Sequence, residues 1–417
     1  MVSLVGSWMQ MTAQSWLVLT LTNSPFKLGL VGTLQFAPLL VFTLYAGVLA
    51  DRLPKRRILL VTQSCLAFFA LVLAFLTLSG RVEFWHVALL AALVGTVRSF
   101  DAPARQAFFV EMVGKEDLLN AIALNSTVFN LARVAGPALG GLVIKAVGTG
   151  WAFLANGLSF LAVIAALTAM TTPDRVRPGR RSVGGEMREG LAYIARTPAV
   201  LSIIILLGLV STFALNWNVL VPTFARAALG LDAGGYGLLM SSMGLGALTG
   251  SVALATFGGR GTRARPLLAG ALSLGTGLTV LCFVRGPALA AAVLFCCGAA
   301  QVTYLASSNT TVQSVVPDDL RGRVMGAYFL VFGGVTPLGA FLSGTLAEHY
   351  GAPVTFGVMG CLTVAAVLVV SAAGRLPQTV AGAARRARPE TDTPVGGGRP
   401  SLRAAEPSAG TMRASDG

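Results

Sequence analysis

The amino-acid sequence predicts an all-α membrane protein, twelve transmembrane helices in two six-helix bundles, with the first helix N-terminally truncated. Three observations carry this. The chain of 417 residues is 54% hydrophobic and only 12% charged, with a mean hydropathy of +0.74, whereas soluble domains carry about 25% charged residues. Its apolar residues gather near 3–21, 28–50, 58–79, 84–103, 121–144, 151–170, 199–221, 235–258, 267–284, 288–310, 324–347 and 354–373. Each stretch is close to the roughly 20 residues that a helix needs to cross the hydrocarbon core. The basic residues fall between these stretches, and they alternate.

Of the 31 Lys and Arg residues, 17 lie in connections after even-numbered spans, 5 in connections after odd-numbered spans and 7 in the tail from Arg375. By the positive-inside rule the even connections and both termini are cytoplasmic, in a multi-pass protein of the plasma (inner) membrane. The formal charge of +14 is therefore topological. It forms no basic stripe with interleaved aromatics, so no nucleic-acid partner is expected. Cys65, Cys282, Cys296, Cys297 and Cys361 lie inside apolar spans without metal-ligand spacing. They read as small core fillers, and neither metal nor cofactor is expected. Met1 opens almost directly into an apolar stretch that lacks the charged n-region and cleavage site of a signal peptide. It reads as a membrane helix whose cytoplasmic flank is missing.

The organisation follows from these breaks. Residues 1–172 form an N-terminal bundle, and 173–198 a cytoplasmic linker whose EMREGLAYIARTP predicts an amphipathic helix on the inner membrane surface. Residues 199–374 form a C-terminal bundle. The tail, 375–417, is rich in Ala, Arg, Gly and Pro and predicts disorder. The bundles echo each other: GPALGG begins at Gly136 and its span is followed by Gly148, while TPLGAFLSG begins at Thr336 and its span is followed by Gly351. Duplicated bundles with a cargo site near the midplane are how many secondary transporters are built.

Residues 47–59, GVLADRLPKRRIL, join spans 2 and 3 and resemble the signature of the major facilitator superfamily. Gly47, Leu49, Ala50, Asp51 and Arg52 match by position, Lys55 and Arg56 keep the basic pair in swapped order, and Pro54 replaces a glycine. The matching connection of the second half, FGGRGTRARP, keeps glycines and arginines but lacks the acid. The resemblance implies that Asp51, with Arg52, Lys55 and Arg56, holds an inner gate against the start of the eleventh span, where Arg321 and Arg323 follow. A carboxylate at a helix N-terminus gains about 0.3–1 kcal/mol. Gly136, Pro137, Gly140 and Gly141 resemble the fifth-helix motif of the exporter branches. Glycines allow close helix approach and proline leaves a kink, so these residues predict a pliable packing seam against the other half. RSFDAPARQAF (98–108) and EDLLNAIALNSTVFNLARVAGP (116–137) are similar to the enterobactin-exporter-like branch, which handles siderophores and drugs.

Polar residues at helical spacing mark the path for cargo. Ser126, Asn130, Arg133 and Pro137 share one face, as do Gln301, Tyr304, Ser308 and Thr311. Gln10 and Gln14 mark span 1, and Asn216 and Asn218 mark span 7. Together they predict a shared aqueous cavity. Arg133 lies roughly 18 Å into its span, near mid-membrane, where an arginine costs at least about 2.5–3.5 kcal/mol unless it faces a partner or water. Such a lining suits an anionic or neutral polar cargo. Arg98 takes the place of a fourth-helix arginine that the superfamily links to proton coupling, and Asp101, three residues on, is expected to pair with it. Of the 17 acids only Asp101 lies inside a span, so protons as the coupling ion rest on the resemblance alone. His86 and His349 lie at outer ends and read as surface residues.

No GxSxG, HExxH or GxxxxGKS/T pattern is present, which argues against an enzyme and against a self-contained ATP-driven pump. The sequence thus predicts a monomeric secondary active transporter. It would export a small polar or anionic compound (siderophore-like, metabolite or drug) by alternating access, in exchange for protons. The alternative is an uptake facilitator or importer of a small solute.

Overall fold

A computed structural model describes residues 1–113, 117–170, 183–257 and 264–372, with only the backbone described at 43, 44, 47, 48, 50–52, 110, 118, 119 and 183–187. The predicted tail and linker residues 173–182 lie outside the described residues. The described chain is all-helical: α1 (Val2–Thr22), α2 (Pro25–Arg52), α3 (Lys55–Leu78), α4 (Phe84–Val113), α5 (Leu118–Val147), α6 (Thr149–Ala169), α7 (Val183–Arg196), α8 (Pro198–Ala214), α9 (Trp217–Thr223), a π-turn (Phe224–Ala228), α10 (Ala233–Phe257), α11 (Ala264–Leu281), α12 (Pro287–Val315), α13 (Asp318–Gly334) and α14 (Thr336–Ala372). Ten stretches among the described residues are long and apolar enough to cross a membrane. The last, Asp318–Ala372, runs 55 residues, about twice what one crossing needs. Helix α1 is not among the ten, because Gln10, Gln14 and several Ser and Thr dilute its apolar content.

The connections show why the chain turns where it does. Helix α1 ends at Asn23 in the left-handed region, φ 49°, which Asn tolerates better than most residues. Ser24 then caps α2, its hydroxyl accepting from Lys27 N–H at 3.2 Å, and Pro25 occupies the first helical position, where no amide is needed. Gly148 (φ 95°, ψ 170°) ends α5, and Gly351 (φ 79°, ψ 159°) breaks α14. These two glycines occupy matching places in the repeat and have nearly the same backbone conformation, one closed to other residue types.

Span 7 departs from its prediction. In place of one helix over 199–221, α8 stops at Ala214, Leu215 and Asn216 leave helical geometry, and α9 passes into the π-turn after Pro222. Proline removes a donor from the ladder, and the Asn216 side chain repairs the other break by donating to the Thr212 carbonyl at 2.6 Å. Discontinuous helices at this depth are a common feature of transporter cargo sites.

The linker helix α7 forms within the predicted linker. It lies against α13 and α8, with Ile194 buried in the core of the second half and Gly190 tight against the Arg323 backbone.

The second half packs around one apolar core from α7–α14, and the first half around three smaller clusters, one of which also takes in Val219, Ala233 and Ala340 of the second half. Between the halves the backbones almost touch. A Cβ added at Gly29 would lie 2.5 Å from the Ala340 carbonyl, one at Gly141 2.6 Å from Ala233, and one at Gly237 2.5 Å from Pro137. The predicted glycine seam is thus divided. Gly141 and Pro137 meet α10 of the other half, whereas Gly136 and Gly140 pack on Trp8 and Met9 of α1, within their own half. Successive glycines in a helix point different ways, so one motif serves two interfaces.

Candidate functional site

The two ends of the bundle differ in how the halves meet. The end carrying the connections after α1, α3, α5 and the π-turn is tied shut. Lys145 Nζ of α5 lies 2.9 Å from Asp232 Oδ2 at the start of α10. Glu348 Oε2 of α14 accepts from the Ser24 hydroxyl at 2.7 Å and from Phe26 N–H at 3.0 Å. Arg226 donates to the Leu19 carbonyl at 2.6 Å. Trp16 stacks on Tyr236, centroids 6.0 Å apart, closing the same end with rings. Hydrogen bonds from Lys145 and then from Gly235 N–H hold the Asp232 carboxyl below its ordinary range.

At the opposite, arginine-rich end the described side chains stay within their own half. Lys55 pairs with Glu111 of α4 at 3.1 Å. Arg56 donates to the Leu167 and Thr168 carbonyls at 2.7 and 2.8 Å, closing the C-terminus of α6. Arg321 pairs with Asp318, and Arg323 with Glu189 of α7 at 2.8 Å. The described bonds of Arg56, Arg321 and Arg323 thus run to neighbours in their own half. A charged group near a helix C-terminus or a local acid finds that partner at lower entropic cost. The predicted gating side chains of Asp51 and Arg52 lie outside the described residues. Among the residues whose side chains are described, no hydrogen bond or ion pair joins the halves at this end, and Ser126 and Thr127 in the first half of α5 stand exposed.

Between the two ends lies a polar seam. Arg133 of α5 donates from Nη2 to Gln301 Oε1 of α12 at 3.4 Å, and Trp217 Nε1 of α9 donates to the same oxygen at 3.1 Å. Gln10 accepts from Asn156 of α6, and Asn218 donates to Met11 Sδ at 3.6 Å. Gln14 lines a cleft with Met11, Ser15, Gln35, Phe36 and Asn218. Asn130 is half-buried and bonds Ser126 of its own helix.

Three predicted cavity residues lie elsewhere. Tyr304 and Ser308 are fully buried in the second half, Tyr304 beside Gly270 of α11. Their spacing matches Gln301, but neighbouring helices cover that part of the face. Asn216 is buried and serves the helix break. Asp101 pairs with Arg105 at 2.8 Å and accepts from Thr62 and Gln63, each at 2.7 Å, so it is not the partner of Arg98. Arg98 is exposed and has no acid within 4 Å among the described residues. The exposed face of α4 changes along its length, from Trp85, Leu89 and Leu93 to Arg98, Ala102 and Arg105, a rotation of about 140° between Leu93 and Arg98. An apolar stripe meets lipid, whereas a polar one needs water. Trp217 was not marked by the sequence. Its signal is an indole N–H between two asparagines in an otherwise apolar span.

The transmembrane secretion effector family, a major facilitator family, has a model that matches residues 1–395. The multidrug efflux pump Tap of Mycolicibacterium fortuitum is 28% identical, over 84% of this chain and 88% of its own length. The staphyloferrin A transporter of Staphylococcus aureus is 23% identical, over 88% and 92%. The enterobactin exporter EntS of Salmonella typhi is 27% identical, over 74% of each chain. Among solved structures, the nucleoside transporter NupG superposes with a TM-score of 0.71 at 11% identity, covering 89% of this chain and 97% of that one. A bacterial homologue of the lysosomal transporter Spinster, inward-facing and unoccupied, gives 0.67 at 13% identity, covering 92% and 95%.

Proposed function

Because this chain belongs to the transmembrane secretion effector family of major facilitator transporters, and is a transporter and not an enzyme, we propose that it exports a small polar or anionic compound by alternating access. Its relatives move drugs and siderophores, which favours export over uptake. The ten apolar stretches, with α1 added and Asp318–Ala372 divided at Gly351, make twelve crossings in two bundles. The arginine-rich end is then cytoplasmic by the positive-inside rule, with both termini on that side of the inner membrane. The protein works as a monomer and takes protons in exchange.

One observation carries this reading. Every described bond between the halves lies at the outer end or in the middle, and none at the cytoplasmic end. A bundle shut at one end and untied at the other is one state of an alternating-access cycle, here the state that loads cargo from the cytoplasm.

Efflux of preloaded carboxyfluorescein, an anionic dye, provides the test. Cells making the protein should expel it faster than cells lacking it, and collapse of the membrane voltage and the pH difference together should erase the difference. Faster entry without faster exit would assign the uptake alternative instead.

A further inference from the structure

The Gln301 side chain presents an unusual acceptor. Its single Oε1 atom takes hydrogen bonds from Arg133, on the first half, and from Trp217, on the second. The bond from Arg133 is long, 3.4 Å, and the guanidinium makes no other hydrogen bond or ion pair among the described residues. A guanidinium offers five N–H donors in a planar fork. At mid-membrane depth such a group is expected to be neutralised or well solvated, and a neutral amide oxygen at this distance does neither.

Two donors from two elements converging on one oxygen describe a place for an oxyanion. Arg133 brings charge and a fork that fits a carboxylate or phenolate bidentately. Trp217, a buried residue, brings one neutral donor. The helix break at Leu215 and Asn216 sets that indole at the seam, and the π-turn follows it.

We infer that the Arg133–Trp217 pair is the subsite for the anionic group of the cargo, and that Gln301 Oε1 stands in its place when cargo is absent. The inference rests on the transport reading and deepens it. It names an oxyanion, carried by a carboxylate or phenolate, as the recognised group. It also gives Gln301 a role as built-in competitor. Cargo entering from the arginine-rich end displaces the amide oxygen, takes the bonds from Arg133 and Trp217, and removes one of the few polar ties between the halves at mid-depth.

Purified protein in detergent tests this with a charge series of similar size, benzoate, benzamide and benzylamine, at millimolar concentration, read as stabilisation against heat. A ligand that binds only the folded state raises the unfolding temperature. Benzoate should stabilise and benzylamine should not. Arg133→Gln and Gln301→Glu should each weaken the benzoate response by about tenfold or more in apparent affinity, the size of one lost charge-assisted hydrogen bond. In the second variant the new carboxylate occupies the site from within. Gln301→Leu, which removes the competitor, should keep or strengthen the response, and Arg133→Lys should keep part of it. Equal stabilisation by benzylamine, no response to benzoate in wild type, or a benzoate response that survives Arg133→Gln would each overturn the assignment. Because binding is read without a membrane, benzoate binding with no dye efflux from cells would remove the export reading and leave the subsite standing.

Discussion

Lys145 and Asp232 meet at 2.9 Å across the boundary between the two halves, at the end of the bundle that is shut. Both side chains are more than half exposed. Exposed pairs contribute about 0.2–1 kcal/mol and are weakened by salt, so the pair trims an equilibrium between states and does not hold up the fold. Asp232→Asn should leave the melting temperature nearly unchanged and raise the population open at this end by about 1.4- to 5-fold. Labelling of Asn218→Cys by an impermeant maleimide, in a cysteine-free background, reads that population. Exchanging the charges, Lys145→Asp with Asp232→Lys, should restore the original rate.

The same pair sets a pH window. The Asp232 carboxyl is held below its ordinary range by Lys145 and Gly235. A depressed carboxyl contributes fully above the ordinary value, about 3.9, and its contribution is lost only as pH falls through the depressed value. The labelling rate should therefore be flat from neutral down to about pH 5 and rise only below the usual carboxylate range. A rise near pH 6 would assign the switch to another group.

Arg56 is expected to act on stability and not on the gate. Its two bonds to the Leu167 and Thr168 carbonyls close α6. Arg56→Ala should lower stability by about 1 kcal/mol, a charge-assisted pair discounted for its partial exposure. Detergent melting measures this, and the labelling rate from the shut end should not move.

Gly136 and Gly141 separate two jobs within one motif. A Cβ at Gly141 would reach the Ala233 carbonyl of the other half, whereas one at Gly136 would strike Trp8 of its own half. Gly141→Val should pry the halves apart, raising labelling from the shut end several-fold with little loss of fold. Gly136→Val should lower the melting temperature, because backbone and side chain must both shift.

The class of fold was legible because hydrophobic runs and basic connections are properties of the chain itself. Arg133 and Gln301 were also legible, as polar residues at helical spacing in apolar spans, and both lie at the seam. Tyr304 and Ser308 shared that spacing and proved to be core. Period alone marks a face, and only the neighbouring helices decide whether protein or water covers it. The partners that Lys55 and Arg56 have here were not legible for a similar reason. Their partners, Glu111 and the end of α6, lie about 55 and 110 residues away, and no local pattern announces which distant helix end needs a donor. Trp217 went unmarked because a tryptophan in an apolar span is unremarkable until its N–H is seen to converge with a guanidinium.

The lack of an ion-pair partner for Arg133 among the described residues has an electrical consequence. A cell membrane at rest is negative inside, and moving one elementary charge through it is worth about 2.3 kcal/mol per 100 mV. An anion carried outward runs down that voltage, and a proton carried inward does the same. An exchange of one monoanion for one proton therefore transfers two charges in the same sense and draws about 4.6 kcal/mol per 100 mV on each turn. On the proposed anionic cargo, voltage works with the chemical gradient, so at equal pH on both sides efflux should persist while the membrane is polarised and stop when it is depolarised.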